Sequence, residues 1–143
     1  MGNITRNFSF EEFEHSETAL RERIDNRIPS AEVGDAIRRL TINVLQPLRD
    51  DLAAPLIVES GYRCRKLNEM VGGVETSQHR KGEASDIRSP FFLPLDIARR
   101  IVSLQLPFDQ LILYPTFVHV SHKRKGRQRG QILYNRRYAG EKI

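Results

Sequence analysis

One cysteine, Cys64, stands in a chain of 143 residues. That excludes an intrachain disulfide framework and any zinc site built on several thiolates. A metal held by this chain would have to use histidine and carboxylate ligands. Histidines are also few: His15, His79, His119 and His122. No segment approaches the ~20 apolar residues of a membrane-spanning helix. The start "MGNITRNFSFEEFEH" has no basic stretch followed by an apolar run, so no secretory signal is expected and the chain should be synthesised soluble in the cytoplasm. Gly2 followed by Thr5 fits a myristoylation pattern only loosely, because the sixth position is Arg6. Internal repeats and low-complexity tracts are absent.

What is present is the composition of a folded protein, 39% hydrophobic and 29% charged, which argues against disorder throughout. The length suits one domain over residues 1–143, large enough to bury a core. A net charge of +5 and a pI near 9.7 bring anionic partners into consideration without choosing among them. Much of the excess lies in "KRKGRQRG" and "NRRY", between Lys123 and Tyr138, and reads first as a solvated basic loop or face.

Ser9 followed by Glu12 forms a capping-box pattern for a short helix, and Ser16 is placed to cap a second through "ETALRER". Ser30 precedes a long helix from Ala31 to about Leu52, in which Val33, Ile37, Leu40, Val44 and Leu48 recur on one face. After Pro55 the texture becomes β-prone at Leu56 to Ser60. "RCRKLNEMVGG" then reads as one or two helical turns stopped by glycines. A short strand is expected over Ser85 to Arg88. A helix follows from Pro94, with Leu95, Ala98, Ile101 and Val102 inward. Phe108 to Tyr114 and Phe117 to His122 are close enough to form an antiparallel hairpin, and Gly130 to Asn135 is a plausible last strand. Early helices and late short strands, without βαβ alternation, favour an α+β fold.

Four histidines are few enough to weigh one by one. His15 lies in a polar helix and reads as a surface residue. His79 and Asp86 flank Gly82, which permits a turn, and Ala84 and Ser85, which let backbones approach; spacing alone would also suit a solvated turn. Alternation in "FVHVSH" puts Phe117, His119 and Ser121 on one face and Val118, Val120 and His122 on the other. His119 is then either a satisfied interior histidine or a ligand. Joined with His79 and Asp86 it would complete two imidazoles and one carboxylate, a set that catalytic zinc uses with a position left for water. His122 should point away from His119. It is either a proton donor at the rim or an exposed residue beside the basic run.

"SGYRCRKLNEMVGGVETSQHRKGEASDI", followed by "FDQLILYPTFVHVSH", resembles the zinc D-Ala-D-Ala carboxypeptidases of bacterial cell walls. That family also includes phage L-alanyl-D-glutamate endopeptidases. Its pattern of Ser, His, Gly, Ala and Asp is met throughout by Ser77, His79, Gly82, Ala84 and Asp86, and "NFSFEEFEHSETA", "RIDNRIP" and "VLQPLRDDL" are looser matches. The resemblance implies a Hedgehog/D,D-peptidase type of α+β fold, with N-terminal helices on a small, mainly antiparallel sheet. It implies one Zn2+ ion held by His79, Asp86 and His119. It also implies Arg63 as receiver of an anionic group of the substrate, with Ser77 and Gln78 lining the cleft. Tyr62 and Asn68 read as scaffold.

Members of this family carry an acid shortly before the second histidine to take a proton from the attacking water, and "LYPT", Leu113 to Thr116, has none. Asp109, Glu83, His122 and Tyr114 are the remaining candidates. The leading expectation is a zinc peptidase cutting an amide bond at a D-amino acid in peptidoglycan stem peptides, as a carboxypeptidase or an endolysin-type endopeptidase. It would act at the bacterial wall, with a phage or prophage lysin as the simplest context, and as a monomer. The alternative is a zinc-bearing wall-binding module with little hydrolysis. A nucleic-acid partner would rest only on the basic C-terminal cluster, since no nucleic-acid motif is found, and no membrane partner is expected.

Overall fold

The computed structural model describes residues 2–143. α1 (Phe10–Glu14) opens as its sequence predicts: the Glu12 carboxylate accepts from the Ser9 backbone N–H at 2.6 Å. α2 (Glu17–Arg21) is capped by Ser16, whose hydroxyl accepts from the Ala19 N–H, and it stops short of the full "ETALRER" run.

The long predicted helix is helical to Leu52 but not uniformly so. α3 (Ala31–Leu40), capped by Ser30, passes through a π-helical turn (Thr41–Leu45) into α4 (Gln46–Leu52). Pro47 supplies the reason. Its ring would press on the carbonyl four residues back, and it has no N–H to donate. Widening the preceding turn relieves both, and the Gln46 N–H bonds to the Thr41 carbonyl across the wider turn. Despite the interruption Ile37, Leu40, Val44 and Leu48 stay fully buried, while Val33 is half-buried at the edge.

β1 (Ile57–Ser60), α5 (Arg65–Met70), a 3-10 turn (Gln78–Lys81), β2 (Ala84–Arg88), α6 (Pro94–Ser103), β3 (Gln110–Leu113), β4 (Val118–Ser121) and β5 (Gln131–Tyr134) follow. In α6 the buried stripe is Ile97, Ala98 and Ile101. Leu95 and Val102, expected inside, are only half-buried beside it. Ile97 and Ile101, four apart, form the centre line of the inward face.

The five strands form one sheet in the order β1-β2-β4-β3-β5. The first three pairings are antiparallel, including the predicted β3–β4 hairpin, and β5 joins β3 in parallel. The architecture is therefore mixed α/β, with helices and a mainly antiparallel sheet. Ile87, Leu111, Leu113, Val118 and Val120 turn one sheet face into a core shared with Ile37, Leu40, Val44, Ile97 and Ile101. The pleat then sends the alternate residues to the opposite face. Register places Asp86 of β2 directly opposite His119 of β4, and His119 opposite Ile112 of β3. No helix of the described residues is long and apolar enough to cross a membrane.

Candidate functional site

His79 reaches that face from the 3-10 turn rather than from a strand. Ser77 opens the turn, its hydroxyl accepting from the His79 N–H at 3.2 Å. Gly82 closes it in the left-handed region at φ +75°, where a Cβ would also stand 2.8 Å from the Val33 carbonyl oxygen. The chain therefore doubles back into β2 within a few residues, bringing His79 over Asp86.

The three predicted ligands meet. His79 Nε2 lies 3.3 Å from Asp86 Oδ1, and His119 Nδ1 lies 3.0 Å from the same oxygen. One ligand atom from each residue falls within 4.8 Å of the others. The imidazoles stand edge-on, with centroids 5.1 Å apart. His79 Nδ1 is 2.7 Å from the Gly61 carbonyl, so Nδ1 carries the proton and donates, and Nε2 presents its lone pair to the cluster. That Nε2 is buried without a hydrogen-bond partner among the described residues.

The ionisation states suit a cation. Burial pushes the His79 imidazole down and keeps it neutral. Burial works against the Asp86 charge, but the imidazoles of His119 and His79 outweigh it and hold the carboxyl well below the usual carboxylate range. Ligands about 2.0–2.2 Å from one tetrahedral ion stand roughly 3.3 Å apart, close to the two separations found. A neutral imidazole with an orphaned nitrogen, an ionised carboxylate and a second imidazole fit zinc.

Arg63 stands beside the cluster. Its Nε donates to the Ser60 hydroxyl at 3.1 Å and its Nη1 to Asn68 Oδ1 at 3.0 Å, leaving Nη2 at 3.7 Å from Asp86 Oδ2. Asn68, expected only as scaffold, is fully buried and also donates to the Val74 carbonyl, so it fixes the guanidinium from behind. Tyr62 is a core ring, as expected. The Arg63 N–H donates to the His79 carbonyl, tying the arginine loop to the histidine turn.

Around this centre lies an open cleft of about 1100 Å³, lined among others by Arg63, Ser77, Gln78, His79, Asp86, Tyr114 and His119. His15 is exposed and sits on its wall. A model of the family described as Peptidase M15 matches residues 6–121. The chain belongs to the Peptidase M15 family. This is the zinc D-Ala-D-Ala carboxypeptidase family, and membership makes the protein a zinc-dependent peptidase. A search of curated proteins finds no significant match.

Within this M15 chain, the four residues proposed to replace the missing acid fare differently. Asp109 is fully buried and gripped by Arg129, with Nη2 to Oδ2 at 2.7 Å and Nε to Oδ1 at 3.1 Å. Glu83 accepts from the Arg124 N–H at 3.0 Å and lies off the cleft wall. His122 is not brought to the cluster: it is buried, with Nδ1 2.7 Å from the Pro107 carbonyl, and it is absent from the cleft lining. Tyr114 alone of the four lines the cleft. It stacks on Phe117 at a centroid distance of 4.3 Å, and its hydroxyl has no hydrogen-bond partner among the described residues. Burial raises its pKa, and the Asp86 charge adds to this, so the group is a neutral O–H donor.

Two contributors escaped the sequence reading. Ser60 announces itself only through its spacing from Arg63, and the Gly61 carbonyl carries no side-chain signal at all.

Proposed function

We propose that this M15 peptidase hydrolyses an amide bond next to a D-amino acid in the peptide stems of peptidoglycan, acting at the bacterial cell wall as an endolysin-type endopeptidase or a carboxypeptidase. The observation that carries the reading is the convergence of His79, Asp86 and His119 on one point of a peptide-sized cleft, with a buttressed arginine beside them. A Hedgehog/D,D-peptidase type of fold accords with helices packed against a mainly antiparallel sheet.

His79, Asp86 and His119 would hold one zinc ion, which when bound supplies a Lewis acid for the carbonyl and an activated water at neutral pH. Arg63 presents a planar fork already oriented by Ser60 and Asn68, suited to grip a substrate carboxylate in two places and so fix the scissile bond over the centre. Ser77 and Gln78 line the same wall and flank the bound peptide. Tyr114, kept protonated by burial on the same cleft wall, would donate to the carbonyl oxygen as negative charge gathers on it.

The second reading, a zinc-bearing wall-binding module, draws on one fact. Leu113 to Thr116 carry no acid, and of the candidates for proton transfer Tyr114 alone lines the cleft, so proton abstraction has no carboxylate from that stretch. Digestion of purified peptidoglycan by zinc-loaded protein, with products read by mass spectrometry, separates the two. Hydrolysis gives new free amino and carboxyl ends at a D-residue. Wall binding without new ends on any of several stem types would establish the binding module instead.

A further inference from the structure

A second groove, of about 640 Å³, opens off the cleft where Thr76, Gln78 and Arg129 line both. Its walls come from the histidine turn, from the basic segment after β4 and from Glu32 and Val33 at the start of α3. The charges there do not cancel. Arg129 is paired with Asp109, and Arg124 shares Asp35 with Arg39. Lys123 lies 3.9 Å from Asp109, a carboxylate Arg129 already occupies. Lys81 and Lys125 are exposed and have no ion pair among the described residues. Among the described residues the Arg80 side chain reaches only the Glu75 carbonyl, at 3.4 Å, and its buried Nε has no partner. Against these cations the groove sets Glu32 and Glu83, and Glu83 is already accepting from the Arg124 N–H.

We propose that this groove is a subsite for the acidic flank of the peptide in the cleft, in which Arg80, Lys81 and Lys125 receive side-chain carboxylates of the same substrate molecule. The inference rests on the peptidase reading above. Continuity decides the occupant: with Thr76 and Gln78 forming a shared wall, a peptide extending from the metal centre in that direction enters the groove without a break. The unpaired ammonium groups at its rim meet flexible carboxylates as point charges, with no demand for a fixed fork. It also gives the basic segment, otherwise a solvated loop, a place in substrate selection.

The test uses zinc-loaded wild-type protein and the double variant K81Q/K125Q, whose two sites are exposed and so leave the fold intact; equal thermal midpoints check this. The probe is a fluorescently labelled stem-type peptide with its side-chain carboxylates either free or amidated, the terminal carboxylate being kept in both. Wild-type protein should bind the free-acid peptide about tenfold more tightly than the amide at low salt, two exposed charge pairs being worth about that much together. The preference should shrink as ionic strength rises. K81Q/K125Q, which keeps Arg80, should lose most of this preference. Equal binding of the two peptides by wild type, or a preference undiminished in K81Q/K125Q, overturns the subsite. So does tight, Lys81- and Lys125-dependent binding of poly(glycerol phosphate) with no peptide preference, which would assign the groove to a phosphate polymer. Carboxylate-dependent binding without any cleavage would sink the hydrolytic reading and leave the groove standing.

Discussion

His79 Nδ1 is held 2.7 Å from the carbonyl oxygen of Gly61, and this one bond decides which nitrogen of His79 faces Asp86 and His119. Gly61 can serve only because it lacks a side chain: a Cβ there would stand 2.7 Å from the Phe13 Cα. The core packing of α1 and the orientation of a metal ligand thus meet at one residue. G61A should push the carbonyl off His79 and weaken zinc binding about 10- to 100-fold, the usual cost of losing such an outer partner. Competition with a chromophoric chelator measures this. Wild-type zinc affinity in a folded G61A would remove the bond from the account.

Arg63 is charged and also shaped. Ser60 and Asn68 take one nitrogen each and leave the rest of the fork toward the cleft. R63K keeps the charge and loses the fork, so kcat/KM on a stem peptide should fall about tenfold to a hundredfold. An R63K enzyme with wild-type kcat/KM would mean that charge alone is read there.

Tyr114 can be removed from the chemistry without disturbing its ring. Y114F preserves the stack on Phe117 and deletes only the donor. Loss of an oxyanion donor typically lowers kcat about 10²- to 10³-fold, with KM little changed. Unaltered kcat in Y114F would exclude the hydroxyl from the reaction.

Asp109 links acid stability to the cleft wall. Burial alone would raise its pKa, but Arg129, through its side chain and its backbone N–H, holds the carboxyl below the ordinary value. A carboxylate with a depressed folded pKa stabilises the fold above its unfolded pKa of about 3.9, and that contribution fades as pH falls through the folded value. D109N should therefore be less stable than wild type at neutral pH by about 1–3 kcal/mol. The gap should narrow in denaturant melts below about pH 4. A gap independent of pH would show that packing, not the ion pair, is lost.

Local signals were legible because local physics sets them. Ser16 and Ser30 mark helix starts since each hydroxyl accepts from a backbone N–H that a first turn leaves open, and at Ser9 the Glu12 carboxylate accepts from the Ser9 N–H instead. The grouping of His79, Asp86 and His119 was legible through the family resemblance that Ser77, His79, Gly82, Ala84 and Asp86 carry, with strand alternation singling out His119; spacing alone also suits a solvated turn. The π turn before Pro47 was harder: helical periodicity survives it, so the hydrophobic stripe hides the interruption. The parallel partnership of β5 with β3 and the Asp109–Arg129 pair join residues far apart in sequence, and no local pattern encodes them. His122 illustrates the opposite risk. Its proximity in sequence to His119 suggested chemistry, yet alternation and the Pro107 carbonyl turn it away from the cleft.

The central claim is that His79, Asp86 and His119 form one zinc site. Metal content after zinc loading and exhaustive dialysis, measured by atomic emission on wild-type protein and on H79A/H119A, tests it most directly. One zinc per wild-type chain and none in the folded double variant is the expected result. Stoichiometric zinc retained by H79A/H119A would contradict the account.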